Sequence, residues 1–412
     1  MTCKSILILW LLFPLSGCDL KTQRTSAEVS SQTLAVSVLK PIEAVVTEPK
    51  DPLLQTTESR IVSQADRDGL IQRAQFVNEQ TGWAITEKSV FITSDGTTSW
   101  RRLPFQAPNE SRVASLFFVD EATGWLAVTK QTSTERYGLG NSSQVLATRD
   151  GGSTWQEQAN LTEEVKINDI SFFDANHGLV VGSKMIDQPR EQGPPYVEIA
   201  AWRTNNGGKV WTEISDTLKT ALNSARVSAN DSGRDIQWLS STQILLLTKH
   251  GKILKTLDQG TTWQAIARFE DERPHGLVSS TGYYKLILNT ENNISVIAGA
   301  LGDEGYWGNL VVTGKDKSWA SYELTLIPIF DATFLSNDEI LASGMDMKSA
   351  SEKRKATTVG VILHSQDHGR SWTPIYRSNV QENFISLSRV GNNTFYAVSD
   401  IGRVVMFSFP QV

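Results

Sequence analysis

Tryptophan recurs behind one short motif along most of the chain, and this recurrence constrains the fold more than any other feature. Thr148-Arg149-Asp150-Gly151-Gly152-Ser153-Thr154-Trp155 is one copy; the others of full strength are residues 256–263 (Asp258, Gly260, Trp263) and 365–372 (Asp367, Gly369, Trp372). A weaker copy ends at Trp100, with Asp95 kept and Thr97 in place of the glycine. Another ends at Trp211, with Gly208 kept and Asn206 in place of the aspartate, and a degenerate one ends at Trp319. From Trp100 to Trp372 the spacings are 55, 56, 52, 56 and 53 residues. The motif has turn chemistry: the carboxylate accepts backbone N–H groups just ahead of it, glycine supplies positive φ, and the indole folds back onto the sheet. Apolar runs such as Gln144-Val145-Leu146-Ala147 flank it, which makes it the turn of a β-hairpin.

A second pattern precedes each copy. It reads Phe76-Val77-Asn78-Glu79-Gln80-Thr81-Gly82-Trp83, then Phe118-Val119-Asp120-Glu121-Ala122-Thr123-Gly124-Trp125, then Phe172-Phe173-Asp174-Ala175-Asn176-His177-Gly178. Looser versions lie at 236–247, 285–298, 332–342 and 386–398, giving seven first halves and six second halves. Four short strands per repeat at this period predict an all-β chain: a seven-bladed β-propeller, with six or eight blades left open. Each blade is a four-stranded antiparallel sheet, strands A to D, with the aspartate motif at the C–D turn. The seventh repeat ends near Phe409 without an outer strand, so an N-terminal strand, from 34–38 or 42–46, is expected to close the last blade. The propeller domain is placed at 33–412.

The first 32 residues read as an address. Lys4 precedes the apolar run Ile6 to Phe13, and Leu15-Ser16-Gly17-Cys18 follows. The apolar run is too short to span a bilayer and has the order of a secretory signal. The tetrapeptide resembles the bacterial lipobox, which implies a signal peptide over 1–17, acylation of Cys18 and a flexible polar tether over 18–32. The expected location is therefore a bacterial membrane, facing the periplasm or the exterior; Asp19 resembles the inner-membrane retention signal of Gram-negative lipoproteins, which in such a bacterium implies the inner membrane.

The motif Ser/Thr-x-Asp-x-Gly-x-Thr/Ser-Trp resembles the Asp-box, or BNR repeat, of sialidases and sortilin-type receptors. Combined with Phe-x-Asp-x-x-x-Gly-Trp at this spacing, it is most similar to the photosystem II stability/assembly factor-like propellers. That resemblance covers about residues 65–408. It implies a non-enzymatic, seven-bladed, extracytoplasmic propeller that binds proteins during assembly.

Composition narrows the chemistry. With 39 Lys+Arg against 45 Asp+Glu the net charge is −6, which disfavours a broad nucleic-acid surface. The two cysteines, Cys3 and Cys18, both fall in the N-terminal segment, so the body offers no cysteine nucleophile or cysteine metal site. His364 and His368 flank a hairpin turn, not a helix face, and no metal or cofactor is expected. The alternative, a sialidase-like glycosidase or carbohydrate-binding propeller, requires three arginines gripping a carboxylate and a Tyr/Glu couple. Arg60-Ile61-Val62 lacks the proline of the sialidase Arg-Ile-Pro motif, and Tyr376-Arg377 is a lone pair. No catalytic residue is assigned.

Polar insertions at 130–143, 184–198, 300–309 and 345–358 fall between strands B and C, and another at 212–234 falls between blades. Both connection types share the face opposite the C–D turns. They carry Arg136, Tyr137, Arg190, Tyr196, Tyr306, Trp307, Lys353, Arg354 and Lys355, types enriched in binding hot spots. This face is expected to bind a membrane or envelope protein, the lipid on Cys18 to hold the membrane, and the chain to act as a monomer.

Overall fold

The computed structural model describes residues 36–39, 42–48, 56–60, 69–131, 141–161, 164–187, 195–271, 278–288, 294–302, 305–313, 318–347, 358–391 and 393–408. They belong to one compact unit spanning Leu34–Val412. Among the described residues the strands form seven sheets, so the chain is a seven-bladed propeller as its repeats predict. The blades span 73–106, 111–161, 165–213, 233–271, 278–325, 329–381 and 384–408, and are numbered 1 to 7 in that order. Within each blade successive strands pair antiparallel. The innermost strand of each blade contacts that of the next, and the innermost strand of blade 7 contacts that of blade 1, which closes the ring.

The first strands of the chain wrap the rim. β1 (Val36–Leu39), β2 (Ile42–Glu43) and β3 (Val45–Val46) add in succession to the outer edges of blades 4, 5 and 6, each as a fifth, parallel strand. β4 (Thr56–Arg60) then pairs antiparallel with Arg403–Ser408 and completes blade 7. Closure by an N-terminal strand therefore holds, but the closing segment is neither 34–38 nor 42–46. Those apolar stretches cover edges of blades that already have four strands. The closing strand, Thr-Thr-Glu-Ser-Arg, has no apolar pattern to betray it, because an outermost strand is recruited through its backbone hydrogen bonds. Glu48 ends the belt by accepting both Nη1 and Nη2 of Arg377, at 2.6 and 2.9 Å.

The core is split into clusters between neighbouring blades instead of one central mass. The insertion at 212–234 is partly structural. It forms α1 (Ser215–Ser224), whose Leu218, Ala221 and Leu222 are buried with Ile214, Trp263 and Ala265 between blades 3 and 4.

Candidate functional site

The C–D turns have the geometry their sequence demands. In blade 2, Asp150 Oδ1 accepts the Thr154 N–H (2.8 Å) and the Thr148 hydroxyl (2.8 Å), and Oδ2 accepts the Thr154 hydroxyl (2.6 Å). Asp95, Asp258 and Asp367 repeat the pattern, and Asn206 keeps the two bonds its amide oxygen can accept. The Thr154 and Thr148 bonds hold the Asp150 carboxyl down at about 2. The turn backbone is left-handed at the glycine, with φ of +92° at Gly152. Thr97 adopts +77° at the same place in blade 1, a conformation that a β-branched residue takes only at a cost. Trp263 and Trp372 close their turns by donating Nε1 to the carbonyls of Gly260 and Gly369.

The second motif fastens each early blade to the next. The Phe118 ring lies where a Cβ on Gly124 would be, 2.5 Å away, which is why glycine precedes the tryptophan. Asp120 caps the turn between them by accepting the N–H groups of Ala122 and Thr123. Trp83 of blade 1 stacks on Phe118 of blade 2 at 3.6 Å and donates Nε1 to Gly151 O. Trp125 of blade 2 stacks on Phe172 of blade 3 at 3.4 Å and donates Nε1 to Gly207 O. Arg149 lies over the Trp125 ring, 5.0 Å from its centroid. All the aspartates of both motifs are thus committed to turns.

The central channel carries a polar ring that the sequence reading did not single out. Equivalent positions on the seven innermost strands are Arg73, Ser115, Asp169, Asp235, Lys285, Asp331 and Ser386. In six of them a β-bulge directly precedes the ring residue, skipping Ala114, Asn168, Arg234, Tyr284, Phe330 and Ile385. An innermost strand has a free edge, and its N–H groups need acceptors. The carboxylates supply them across the blade junctions: Asp169 accepts Ile236 N (3.2 Å), Asp235 accepts Leu286 N (2.8 Å) and Asp331 accepts Leu387 N (2.9 Å). Arg73 reaches past Ser115 (2.8 Å) to Asp169 (2.7 Å), and Lys285 pairs with Asp331. Burial, reinforced by the neighbouring Asp169 charge, pushes the Asp235 carboxyl up to about 7 against the pull of Lys285 and Arg73. The signal available in sequence was a charged residue three positions before Phe76, Phe172, Trp238 and Phe334, which looks like an ordinary strand polarity.

Cys18, Arg136, Tyr137, Arg190, Lys353, Arg354 and Lys355 fall outside the described residues. Tyr306 and Trp307 belong to the strand Gly305–Thr313, paired with Ile294–Gly302, so most of 300–309 is hairpin strand and not loop. Tyr196 opens the strand Tyr196–Thr204, is half-buried, and points its hydroxyl 3.4 Å from Glu198. His364 and His368 turn to different carboxylates, Glu339 and Asp338. Among the described residues no group of three His, Cys, Asp or Glu side chains is placed to hold a metal.

No protein-family model and no curated protein matches the sequence. Solved structures do match in fold. YCF48 bound to D1 peptide is 15% identical with a TM-score of 0.54, over 87% of this chain and 99% of that one. The GH74 xyloglucanase from Xanthomonas campestris is 13% identical with a TM-score of 0.55, over 86% of this chain but only 54% of the enzyme. A polysaccharide lyase of family PL25, an ulvan lyase bound to its saccharide, is 9% identical with a TM-score of 0.50, over 90% of this chain and 96% of that one. The fold is a seven-bladed β-propeller resembling the photosystem II assembly factor YCF48, and it is shared with carbohydrate-active enzymes.

Proposed function

We propose that this chain is a non-enzymatic scaffold, anchored by lipid on Cys18 outside the cytoplasm, that binds a membrane or envelope protein during its assembly. The observation carrying the reading is the commitment of the channel carboxylates. Asp169, Asp235 and Asp331 each bind a backbone N–H of the neighbouring blade, which fixes them as structural acceptors. A glycosidase needs two carboxyl groups free to face a sugar, and a sialidase-like grip needs three converging arginines. The ring has one arginine, Arg73, and it is paired with Asp169. The likeness to a propeller solved with a D1 peptide agrees with protein binding and, like those to the xyloglucanase and the lyase, is a likeness of fold.

The test is a pull-down from detergent-solubilised membranes with the full chain and with a Tyr306→Ala, Trp307→Ala, Arg354→Ala variant. A specific membrane-protein complex captured by the first and lost by the second is expected. Capture indifferent to these residues removes the loop face from the reading, and saturable binding to a glycan array replaces it with the carbohydrate alternative. Cys18→Ser is expected to move the protein from the membrane to the soluble fraction.

A further inference from the structure

The junction between blades 3 and 4 breaks the pattern of the two before it. At the position of Trp83 and Trp125, blade 3 has Leu179, and at the position of Phe118 and Phe172, blade 4 has Trp238. The residue paired with Trp238 is Ile244, where the earlier blades have the glycine that lets a ring lie flat over the strand. Trp238 accordingly leans outward against Phe173, centroids 5.9 Å apart, and its buried Nε1 meets no acceptor. The carbonyl that should receive an indole N–H, Gln259 O, is instead reached by the thinner Arg203, whose Nη1 also donates to Thr261 Oγ1 at 2.7 Å. A cavity of about 270 Å³ remains, lined by Arg203, Val210, Trp238, Thr261 and His177 among others. It opens on the turn face, where Phe173, Val210 and Leu257 are 44%, 60% and 64% exposed.

We propose that this cavity is a receptor for an aromatic side chain carried on an acidic, extended segment of a partner protein. The molecule holds its own template for the occupant. At the blade 2–3 junction an indole fills the equivalent space, stacked on one aromatic ring and covered by an arginine. At the blade 3–4 junction the aromatic wall and an arginine are present and the filling ring is missing. Charge selects the flanks: no carboxylate lines the cavity, and Arg203 donates there to a carbonyl and a hydroxyl. The inference rests on the protein-binding reading but uses none of the residues expected to form the loop face.

The probe is the capped tripeptide Asp-Trp-Asp, titrated calorimetrically into the full chain. Saturable binding is expected, weaker by about tenfold or more for Asp-Ala-Asp and for Lys-Trp-Lys, since one aromatic anchor or one fully opposed charge carries that much. Leu179→Trp supplies the missing ring from within and should abolish binding; Val210→Glu, an exposed change at the rim, should weaken it by repulsion without touching the core. No saturable binding to the full chain, equal binding of Asp-Ala-Asp, or undiminished binding to both variants overturns the proposal. If Leu179→Trp does not fold, Val210→Glu decides alone. A membrane partner lost by the loop-face variant but retained by both pocket variants overturns the pocket and leaves the scaffold standing. A partner lost by the pocket variants alone supports the pocket and removes the loop face.

Discussion

Replacing Asp235 by asparagine should stabilise the propeller at neutral pH, and the size of the effect follows from the channel. Asp235 is 6% exposed, one junction from Asp169, and its carboxyl is pushed from 3.8 up to about 7 by burial and that neighbouring charge. A carboxyl bound more tightly to its proton in the folded chain than in the unfolded one destabilises the fold as the solution becomes basic. The unfolded chain gives up the proton near pH 4 and the folded chain near pH 7, so stability falls through that window and is level above it. At about 1.36 kcal/mol for each pH step, the full loss is roughly 4 kcal/mol. Asparagine retains an oxygen to accept Leu286 N–H and has nothing to ionise. Urea unfolding followed by tryptophan fluorescence, from about pH 4.5 to 8.5, should show the variant and the parent converging at the acid end and separating by up to this amount above pH 7. A separation independent of pH, or a variant less stable than the parent at pH 8, refutes the reasoning. The second result would mean that Lys285 and Arg73 hold the ionised form more strongly than burial expels it.

Acid should undo the C–D turns in the opposite sense. Despite burial, hydrogen bonds from Thr262 and Ser371 hold Asp258 and Asp367 below the ordinary carboxyl range. Their contribution is present above pH 4 and lost as pH falls through the folded values, so Asp367→Asn should flatten the acid limb of the stability profile. Gly124→Ala places a Cβ 2.5 Å from the Phe118 ring and should cost about 1–3 kcal/mol by overpacking, read as a lower thermal midpoint. At the belt, Glu48→Ala removes a 70% exposed partner of Arg377 and should cost under about 1 kcal/mol. Arg377→Ala should cost more, because it also strips Asp346, whose side chain is 4% exposed, of a cation at 3.4 Å; limited proteolysis between residues 40 and 56 should accelerate in both variants.

The period near 54 residues determined the architecture before any coordinates, since a repeat of four short strands cannot bury its faces except against copies of itself. The turn roles of Asp150, Asp258 and Asp367 were equally legible, because their partners lie within four residues in the chain. So was the need for a borrowed strand in blade 7, which follows from counting. Which segment is borrowed was not legible: β4 is recruited by the free backbone edge of Arg403–Ser408, and a backbone edge leaves no mark on the side chains that satisfy it. The polar ring was invisible for a related reason. Arg73 meets Asp169 across 96 residues and Asp331 meets Leu387 N across 56, so each charge looks like ordinary strand polarity until closure of the ring turns seven innermost strands toward one axis. The blade 3–4 cavity sits between these cases. Leu179 in place of tryptophan is plain in the sequence, but whether a neighbour fills the gap depends on where Arg203 and Trp238 turn, and only packing between blades decides that.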